Sequence, residues 1–300
     1  MSLLVVGSIA LDTVETPFGR HADILGGSAT FFSVSASLFT KPRLVGVVGS
    51  DFPPEHIKAL RKRKIDTAGI EYADGQTFRW NGRYTGDMNS AETLSVHLNV
   101  FGNFDPKVPD KFRDSSLVFL ANGSTSIQMK VLSQVPKAKF IMVDTMNLWI
   151  ETEREKLIEL IKKANGLILN NHEAAMLTGK HNLIAAAKEI LAYGLDVLVI
   201  KKGEHGAMLF DRKGNFFAIP AFPLDNVKDP TGAGDSFAGG FMGYLDKAGN
   251  TDFNTMKKAL VYGTMTASFA VEDFSLNRLL KATTVQLKTR AEKFKKMFTL

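Results

Sequence analysis

The sequence contains no cysteine among its 300 residues. Disulfides, thiolate metal ligands and a cysteine nucleophile are therefore excluded. The sequence also lacks an uninterrupted apolar stretch near the roughly 18 residues that a membrane-spanning helix needs. Its amino terminus has no basic segment, and the first apolar run ends at Asp12, too early for a complete signal peptide. We therefore expect a cytoplasmic protein that has no membrane partner.

Several common nucleotide-binding and metal-binding motifs are also missing. The P-loop pattern G-x-x-x-x-G-K-[ST] is absent, because the single Gly-Lys pair, Gly179-Lys180, lacks both the upstream glycine and the following hydroxyl. The dinucleotide pattern G-x-G-x-x-G is absent as well, and the six histidines show no metal-ligand spacing. If this protein binds a phosphate group, another turn must hold it.

Basic residues are scattered along the chain, although the formal net charge is +6. The densest basic runs are 61–64 and 288–296, and apolar residues recur at helical spacing through the second run. This pattern indicates the solvated face of a surface helix. We therefore predict no nucleic-acid partner, and the basic surplus suits an anionic substrate such as ATP.

Short apolar runs alternate with helical patterns over most of the chain. The strand-like runs are Leu3–Ile9, Arg43–Val48, Leu117–Ala121, Phe140–Asp144, Leu167–Asn170 and Val197–Lys201. The helical patterns between them are Ser28–Phe39, Pro54–Arg63, Glu151–Lys163 and Asn182–Tyr193. This alternation predicts an α/β fold, a doubly wound and mostly parallel sheet with helices on both faces. Residues 207–211 and 216–219 predict an antiparallel hairpin at its edge.

Residues 70–104 interrupt this rhythm with a period of two. Three aromatic residues point one way and three polar residues the other: Phe78, Trp80 and Tyr84 against Arg79, Asn81 and Arg83. A second such run is Leu94–Phe101. We predict a small β-sheet lid, formed mainly by about 12–18 and 75–101, on a single domain spanning 1–300. The aromatic face favours packing inside the lid or in a homodimer over ligand stacking, and the polar face is predicted to face substrate.

A glycine-rich turn at 229–241 carries the sharpest chemical signal. Pro230 ends any strand, and Gly232, Ala233 and Gly234 are small enough for an anion to approach the backbone. An apolar stripe after Asp235 indicates that the turn opens a helix, whose first N–H groups are unpaired and form an anion hole. The Asp235 carboxylate lies in the first turn of this helix and can act as a general base in phosphoryl transfer, because it can accept the proton of the attacking hydroxyl.

The ordered motifs of the chain resemble the ribokinase (PfkB) family of carbohydrate and nucleoside kinases. Asp229–Phe241 matches the family's D-x-x-G-A-G-D motif. Further matching segments are Gly7–Asp12, Gly26–Ala29, Val47–Asp51, Ile65–Thr67, Asn170–Glu173 (N-x-x-E) and Lys202–Gly206 (K/L-G-x-x-G). Pro53 and Pro54 depart from the family, which often has a glycine there.

The resemblance implies a role for each matching residue. Asp235 would be the base, with Gly232, Ala233 and Gly234 as the anion hole. Asp12, Gly26 and Gly27 would bind the acceptor. The nucleotide would be bound by Asn170, Glu173, Lys202, Gly203, Gly206, Thr231, Gly232 and Gly234. Asn170 and Glu173 would hold Mg²⁺ through water. Asp229 would help to hold a monovalent cation such as K⁺, and the loop 271–275 departs from the glycine-containing loop that is usual in the family.

The sequence leaves the acceptor open. A sugar needs polar groups for its hydroxyls, and Asn81, Arg83 and Asn103 are candidates. We therefore predict an ATP- and Mg²⁺-dependent kinase that phosphorylates a hydroxyl of a small sugar-like substrate. The alternative is a nucleoside kinase, in which Phe31, Phe32, Phe78, Trp80 and Tyr84 would stack a base. A non-catalytic ligand-binding sensor would have lost the base or the anion hole, and this sequence keeps both.

Overall fold

Residues 1–298, which the computed structural model describes, form thirteen strands and ten α-helices. The strands are β1 (Leu3–Val6), β2 (Ala10–Thr16), β3 (Gly19–Gly26), β4 (Arg43–Gly49), β5 (Asp66–Ala73), β6 (Phe78–Tyr84), β7 (Ala91–His97), β8 (Leu117–Leu120), β9 (Phe140–Asp144), β10 (Gly166–Asn170), β11 (Val197–Lys201), β12 (Ala207–Asp211) and β13 (Phe216–Ile219). The helices are α1 (Ser28–Ala36), α2 (Pro54–Lys62), α3 (Thr125–Leu132), α4 (Asn147–Thr152), α5 (Arg154–Ile161), α6 (Asn171–Thr178), α7 (Leu183–Leu191), α8 (Ala233–Ala248), α9 (Phe253–Ala270) and α10 (Thr284–Lys296).

Nine strands form the large sheet, in the order β13-β12-β11-β10-β9-β8-β1-β4-β5. The seven strands from β11 to β5 are parallel, and the hairpin of β12 and β13 adds two antiparallel strands at one edge. The predicted mostly parallel sheet and its edge hairpin are therefore confirmed. Parallel strands place their carboxyl ends at one edge, where an α/β sheet usually binds ligands.

Each face of the large sheet is covered by its own apolar core. Successive residues of a strand enter opposite cores, as Phe119 and Leu120 of β8 show. On the first face, α8 packs tightly against α1 because Gly239 has no side chain. A Cβ there would lie 2.2 Å from the carbonyl oxygen of Phe32. This packing fixes where α8 begins relative to the strand ends.

The small sheet consists of four strands in the order β3-β2-β6-β7. The sequence predicted the parts of it near 12–18 and 75–101 but missed β3, because Gly19–Gly26 is mostly exposed and has no apolar alternation. The second predicted run is also shifted, since β7 covers Ala91–His97 and Asn99–Asn103 forms a 3-10 turn. That turn is anchored by Phe101, which packs against Phe78.

Two further elements differ from the sequence-based prediction. β5 belongs to the large sheet, pairing with β4, although residues from 70 onward were assigned to the irregular region. The single helix predicted at 151–163 is two helices, α4 and α5, which meet at Glu153 in a non-helical conformation. The Glu153 carboxylate accepts a hydrogen bond from the Thr125 N–H (3.0 Å), so the break serves a tertiary contact. None of the helices described within residues 1–298 is long and apolar enough to cross a membrane.

Candidate active site

The glycine-rich turn places the start of α8 at the edge of the large sheet. Gly232 has a left-handed backbone (φ +70°), and a Cβ on it would lie 2.3 Å from the Phe31 ring. A residue with a side chain is therefore strained there. The Ala233 N–H already donates to the Pro230 carbonyl (3.1 Å), whereas the Gly232 and Gly234 N–H groups make no hydrogen bond within residues 1–298. Those two amides are therefore available to an anion.

The Asp229 carboxylate stabilises this turn by accepting two hydrogen bonds. Its Oδ1 accepts from the Thr231 N–H (2.9 Å), and its Oδ2 accepts from the Ser275 N–H (2.9 Å). The carboxylate thus ties the loop after α9 to the loop before α8. Burial raises its pKa. Both oxygens are engaged, so the structure itself accounts for a buried aspartate at this position.

Asp235 lies in the first turn of α8 and is buried in a cluster of charged groups. Its pKa is raised to about 7: burial is the largest cause, the nearby Asp144 carboxylate acts in the same direction, and Lys201 opposes both. A carboxylate with this pKa is a stronger base than a solvated one and is still substantially ionised at neutral pH. The environment of Asp235 therefore suits proton acceptance from a hydroxyl.

Lys201 was missed by the sequence analysis, which assigned the neighbouring Lys202 from its motif. Lys201 is the last residue of β11, and its Nζ lies 3.6 Å from Oδ1 of Asp144 at the end of β9. Burial would lower the pKa of Lys201, but Asp144, Glu173 and Asp235 raise it. Burial also raises the pKa of Asp144. The signal in the sequence was an apolar strand that ends in a lysine.

Asn170 and Glu173 form a reciprocal cap at the start of α6. The Asn170 Oδ1 accepts from the Glu173 N–H (2.8 Å), and Glu173 Oε2 accepts from the Asn170 N–H (2.6 Å). The pKa of Glu173 is raised to about 7: burial is the largest cause, Asp144 and Asp235 act in the same direction, and Lys201 opposes them. One Glu173 oxygen remains outside the cap, and the surplus of carboxylates fits a hard divalent cation such as Mg²⁺. Within residues 1–298, however, no three acidic or histidine side chains are placed to hold a metal together. Water and phosphate oxygens would have to complete the coordination.

The loop after β11 contains the other predicted nucleotide residues. The Lys202 N–H donates to the Gly206 carbonyl (2.7 Å), which closes a tight turn over Gly203–His205. Gly206 has φ +87°, and a Cβ there would lie 2.0 Å from a backbone oxygen of β13. This turn also touches the small sheet, because Asn89 Nδ2 donates to Glu204 Oε1 (3.0 Å).

Asp12 lies on β2, where the small sheet meets the large one. A Cβ on Gly26 would lie 1.8 Å from Asp12 Oδ2, so the missing side chain of Gly26 makes room for the carboxylate. The pKa of Asp12 is raised to about 8: burial is the largest cause, Asp229 and Asp235 act in the same direction, and the Gly27 backbone hydrogen bond opposes them. Asp12, Gly26 and Gly27 are thus brought together as predicted, within electrostatic range of Asp235.

The aromatic face of the small sheet lies on the same side as Asp12. β2 and β6 pair in register, with Asp12 opposite Trp80, so these two side chains share one face. Trp80 and Tyr84 pack with Val14 and Phe274. The Tyr84 hydroxyl reaches Thr231 Oγ1 at 3.4 Å. The aromatic face therefore lies over the glycine-rich turn.

The predicted orientation of the polar face is wrong. Asn81 and Arg83 pair in register with Thr13 and Glu15 of β2, on the face opposite Asp12. Arg83 Nε lies 3.1 Å from Glu15 Oε1, which gives this guanidinium a partner on its own sheet. A period of two defines two faces but does not say which one covers the site.

Phe31, Phe32 and Asn103 are the remaining candidates for contact with an acceptor. Phe31 and Phe32 are fully buried in the first core, where Phe32 stacks on Phe119 (centroids 4.3 Å) and Phe31 lies against Gly232. Asn103 is exposed at the end of the 3-10 turn. Their predicted contacts with a base or a sugar are not supported by these positions.

Comparison with known proteins identifies the class. Residues 12–282 match the pfkB family carbohydrate kinase pattern, and the chain belongs to this family. It is 31% identical to the cytidine kinase of Thermococcus kodakarensis over 249 residues, which is 81% of this chain and 87% of that protein. The structure of the Methanocaldococcus jannaschii nucleoside kinase, an archaeal member of the ribokinase family, aligns with a TM-score of 0.78 at 23% identity, covering 98% of this chain and 99% of that one. An E. coli protein described as a candidate ribokinase II, solved with ATP and Mg²⁺, aligns with a TM-score of 0.80 at 17% identity, covering 97% and 99%.

Family membership confirms the ribokinase-like fold and the kinase prediction. The protein is an ATP-dependent phosphotransferase that acts on an alcohol group of a sugar or a nucleoside. ATP and Mg²⁺ are its expected co-substrate and metal. The family supports the predicted sugar-like acceptor, and the alternative, a nucleoside, fits equally well.

Proposed function

We propose that the acceptor is a ribonucleoside, with cytidine as the first candidate. The observation that carries this proposal is the shared face of Asp12 and the partly buried Trp80, which the buried Tyr84 supports from within the small sheet. A carboxylate suits ribose hydroxyls, and an aromatic face suits the planar base, which a free sugar does not have. The 31% identity with a cytidine kinase supports the same assignment.

In the proposed reaction, Asp12 and the backbone of Gly26 and Gly27 bind the ribose. The acceptor hydroxyl gives its proton to Asp235 as its oxygen bonds to the γ-phosphorus of ATP. The bond from that phosphorus to the β–γ bridging oxygen breaks, and ADP leaves. The amides of Gly232 and Gly234 stabilise the charge on the transferred group.

The donor site of the proposal is the loop after β11 together with the caps of α6 and α8. Lys202, Gly203, Gly206 and Thr231 would contact the nucleotide. Asn170 and Glu173 would orient Mg²⁺ through water, and the metal would neutralise charge on the phosphates. Asp229 keeps its predicted role beside a monovalent cation such as K⁺, in addition to bracing the turn.

We further infer that the small sheet acts as a lid within one domain. Its contacts with Thr231 of the glycine-rich turn and Glu204 of the nucleotide turn would hold it closed over the site, where it would exclude water from the phosphoryl group. Leu94, Val96 and Leu98 are exposed on or next to its edge strand β7, which suits the predicted homodimer. A cytoplasmic location also remains a prediction.

An ADP-release screen at fixed Mg-ATP tests the acceptor. The panel contains cytidine, uridine, adenosine, inosine, ribose and 2-deoxyribose, and Asp235→Asn serves as the inactive control. We expect cytidine to give the highest kcat/KM and free ribose to give at least about a tenfold lower value, because it cannot use the aromatic face. Preferential turnover of a free sugar would overturn the nucleoside assignment.

A further inference from the structure

A lysine that no motif assigns lies inside the phosphoryl-transfer site. Lys201 and Asn170 are paired residues at the carboxyl ends of β11 and β10, and Asp144 ends the next strand, β9. By strand alternation, Lys201 shares the face of Val199, which belongs to the core under α1 and α8. The side chain therefore points toward the start of α8, whereas Lys202 begins the nucleotide turn.

The Lys201 ammonium is not saturated by the protein. It has three N–H donors, and in the described part of the chain its single recorded ion pair is with Asp144, at 3.6 Å. This separation is long compared with the ~2.7–3.2 Å of a short N–H···O hydrogen bond, and the contact uses at most one of the three donors. The side chain is only 17% exposed, so solvent reaches it poorly. A largely buried cation in this position has donors available for another acceptor.

The ammonium lies directly against the anion turn. Nζ is 3.0 Å from the position that a Cβ of Gly234 would occupy. A phosphoryl group on the Gly232 and Gly234 amides would therefore lie within reach of Nζ. Three buried carboxyl groups influence the same lysine: Asp144, Glu173 and Asp235. They keep it charged, and bound phosphates would add further negative charge.

We propose that Lys201 binds the γ-phosphoryl group of ATP, leaving its loose ion pair with Asp144 when the nucleotide arrives. Asp144 is then a positioning residue, which holds the ammonium beside the turn before ATP binds. The inference rests on the proposed kinase reaction and adds a cation to it. In transfer, the same ammonium stabilises the charge on the phosphoryl oxygens while Asp235 takes the proton.

Nucleotide affinity measured by calorimetry, without an acceptor, tests this role. The probes are AMP-PNP, which carries a γ-phosphoryl group, and AMP, which does not. We expect Lys201→Met to weaken AMP-PNP binding about 10- to 100-fold while AMP binding stays within about twofold. Lys201→Arg keeps the charge and should recover part of the AMP-PNP affinity. Lys180→Met is the matched control, since its ion pair with Glu189 (3.2 Å) lies at the far end of α6.

A double-mutant cycle separates positioning from general stability. If Asp144 acts through Lys201, Lys201→Met/Asp144→Asn should bind AMP-PNP no more weakly than Lys201→Met alone. Additive losses would overturn the positioning role of Asp144. An equal loss of AMP and AMP-PNP affinity, or no loss of either in a folded variant, would overturn the phosphate-binding role of Lys201.

The two proposals fail separately. Suppose that the wild-type protein phosphorylates cytidine and that Lys201→Met leaves the ratio of AMP-PNP to AMP affinity unchanged. This result would reject the phosphate-binding role of Lys201 and leave the nucleoside kinase assignment intact. A wild-type protein that binds AMP-PNP tightly but phosphorylates only free sugars would reject the nucleoside, whereas the Lys201 result would still stand.

Discussion

The large and small sheets differ in how they are stabilised and in what they contribute to the site. The large sheet is buried under two apolar cores and ends in Asp144, Asn170 and Lys201. The small sheet has only a minor apolar cluster, and its other face carries ion pairs of Arg79 and Arg83. Groups that need fixed geometry thus lie on the well-packed sheet, while acceptor recognition lies partly on the sheet with fewer buried contacts.

The largest expected effect is on the large-sheet side, at Asp235. Asp235→Asn keeps the shape of the side chain but cannot accept a proton, so kcat should fall about 10²–10⁴-fold with nucleotide affinity little changed. Because the raised pKa of Asp235 is about 7, wild-type kcat/KM should decline as pH falls below about 7 and level off above it. Steady-state kinetics from pH 5.5 to 9 measure both. Near-normal turnover in folded Asp235→Asn would remove this residue as the base.

The next largest effect is expected at Gly232, in the glycine-rich turn that lies between the large sheet and the small sheet. Gly232→Ala forces a side chain into a left-handed conformation and against Phe31, so we expect a loss of about 2–4 kcal/mol in the free energy of unfolding. Gly234→Ala is the control, because its Cβ would meet only the flexible end of Lys201, and it should cost less than about 1 kcal/mol. Urea unfolding monitored by circular dichroism compares them. Equal losses would show that the left-handed backbone of Gly232 and its contact with Phe31 add no cost of their own.

A substitution of Asp12 is expected to have a smaller effect on the free energy of unfolding, and this effect is a gain. Its folded pKa is raised from 3.8 to about 8, so the folded protein binds this proton more tightly than the unfolded chain does. Stability from this group is therefore present at low pH and is lost as pH rises from about 4 to about 8. Asp12→Asn should stabilise the protein at pH 9 by on the order of 2 kcal/mol, with little gain at pH 4, while acceptor KM rises. A variant less stable than wild type at pH 9 would contradict the buried-charge argument.

The smallest effect is expected on the polar face of the small sheet. Arg83→Met removes ion pairs with Glu15 and Glu92 that are partly exposed, and such pairs contribute about 0–1 kcal/mol. Acceptor KM should stay within about twofold, because Arg83 faces away from Asp12. A rise of tenfold or more would restore the original prediction that this face binds substrate.

The sequence was sufficient where the signal is local. Unbroken apolar runs predict buried parallel strands, and the glycine-rich turn before Asp235 predicts a helix start. β3 was missed because an exposed strand needs no apolar pattern. Lys201 was missed because its partner, Asp144, lies on a different strand, and only the order of strands in the sheet brings them together. The face of Arg83 was misassigned because alternation alone carries no direction.

The hydrogen bond between Asn89 and Glu204 connects the turn proposed to bind the nucleotide with the small sheet proposed to cover the acceptor. Asn89 belongs to the loop joining β6 and β7, and Glu204 to the turn proposed to receive the nucleotide. If binding at that turn changes this contact, it changes the free energy of the closed small sheet and with it the affinity for acceptor. Thermodynamic reciprocity then requires acceptor to change nucleotide affinity by the same factor. The kinase would therefore bind each substrate with an affinity that depends on the presence of the other.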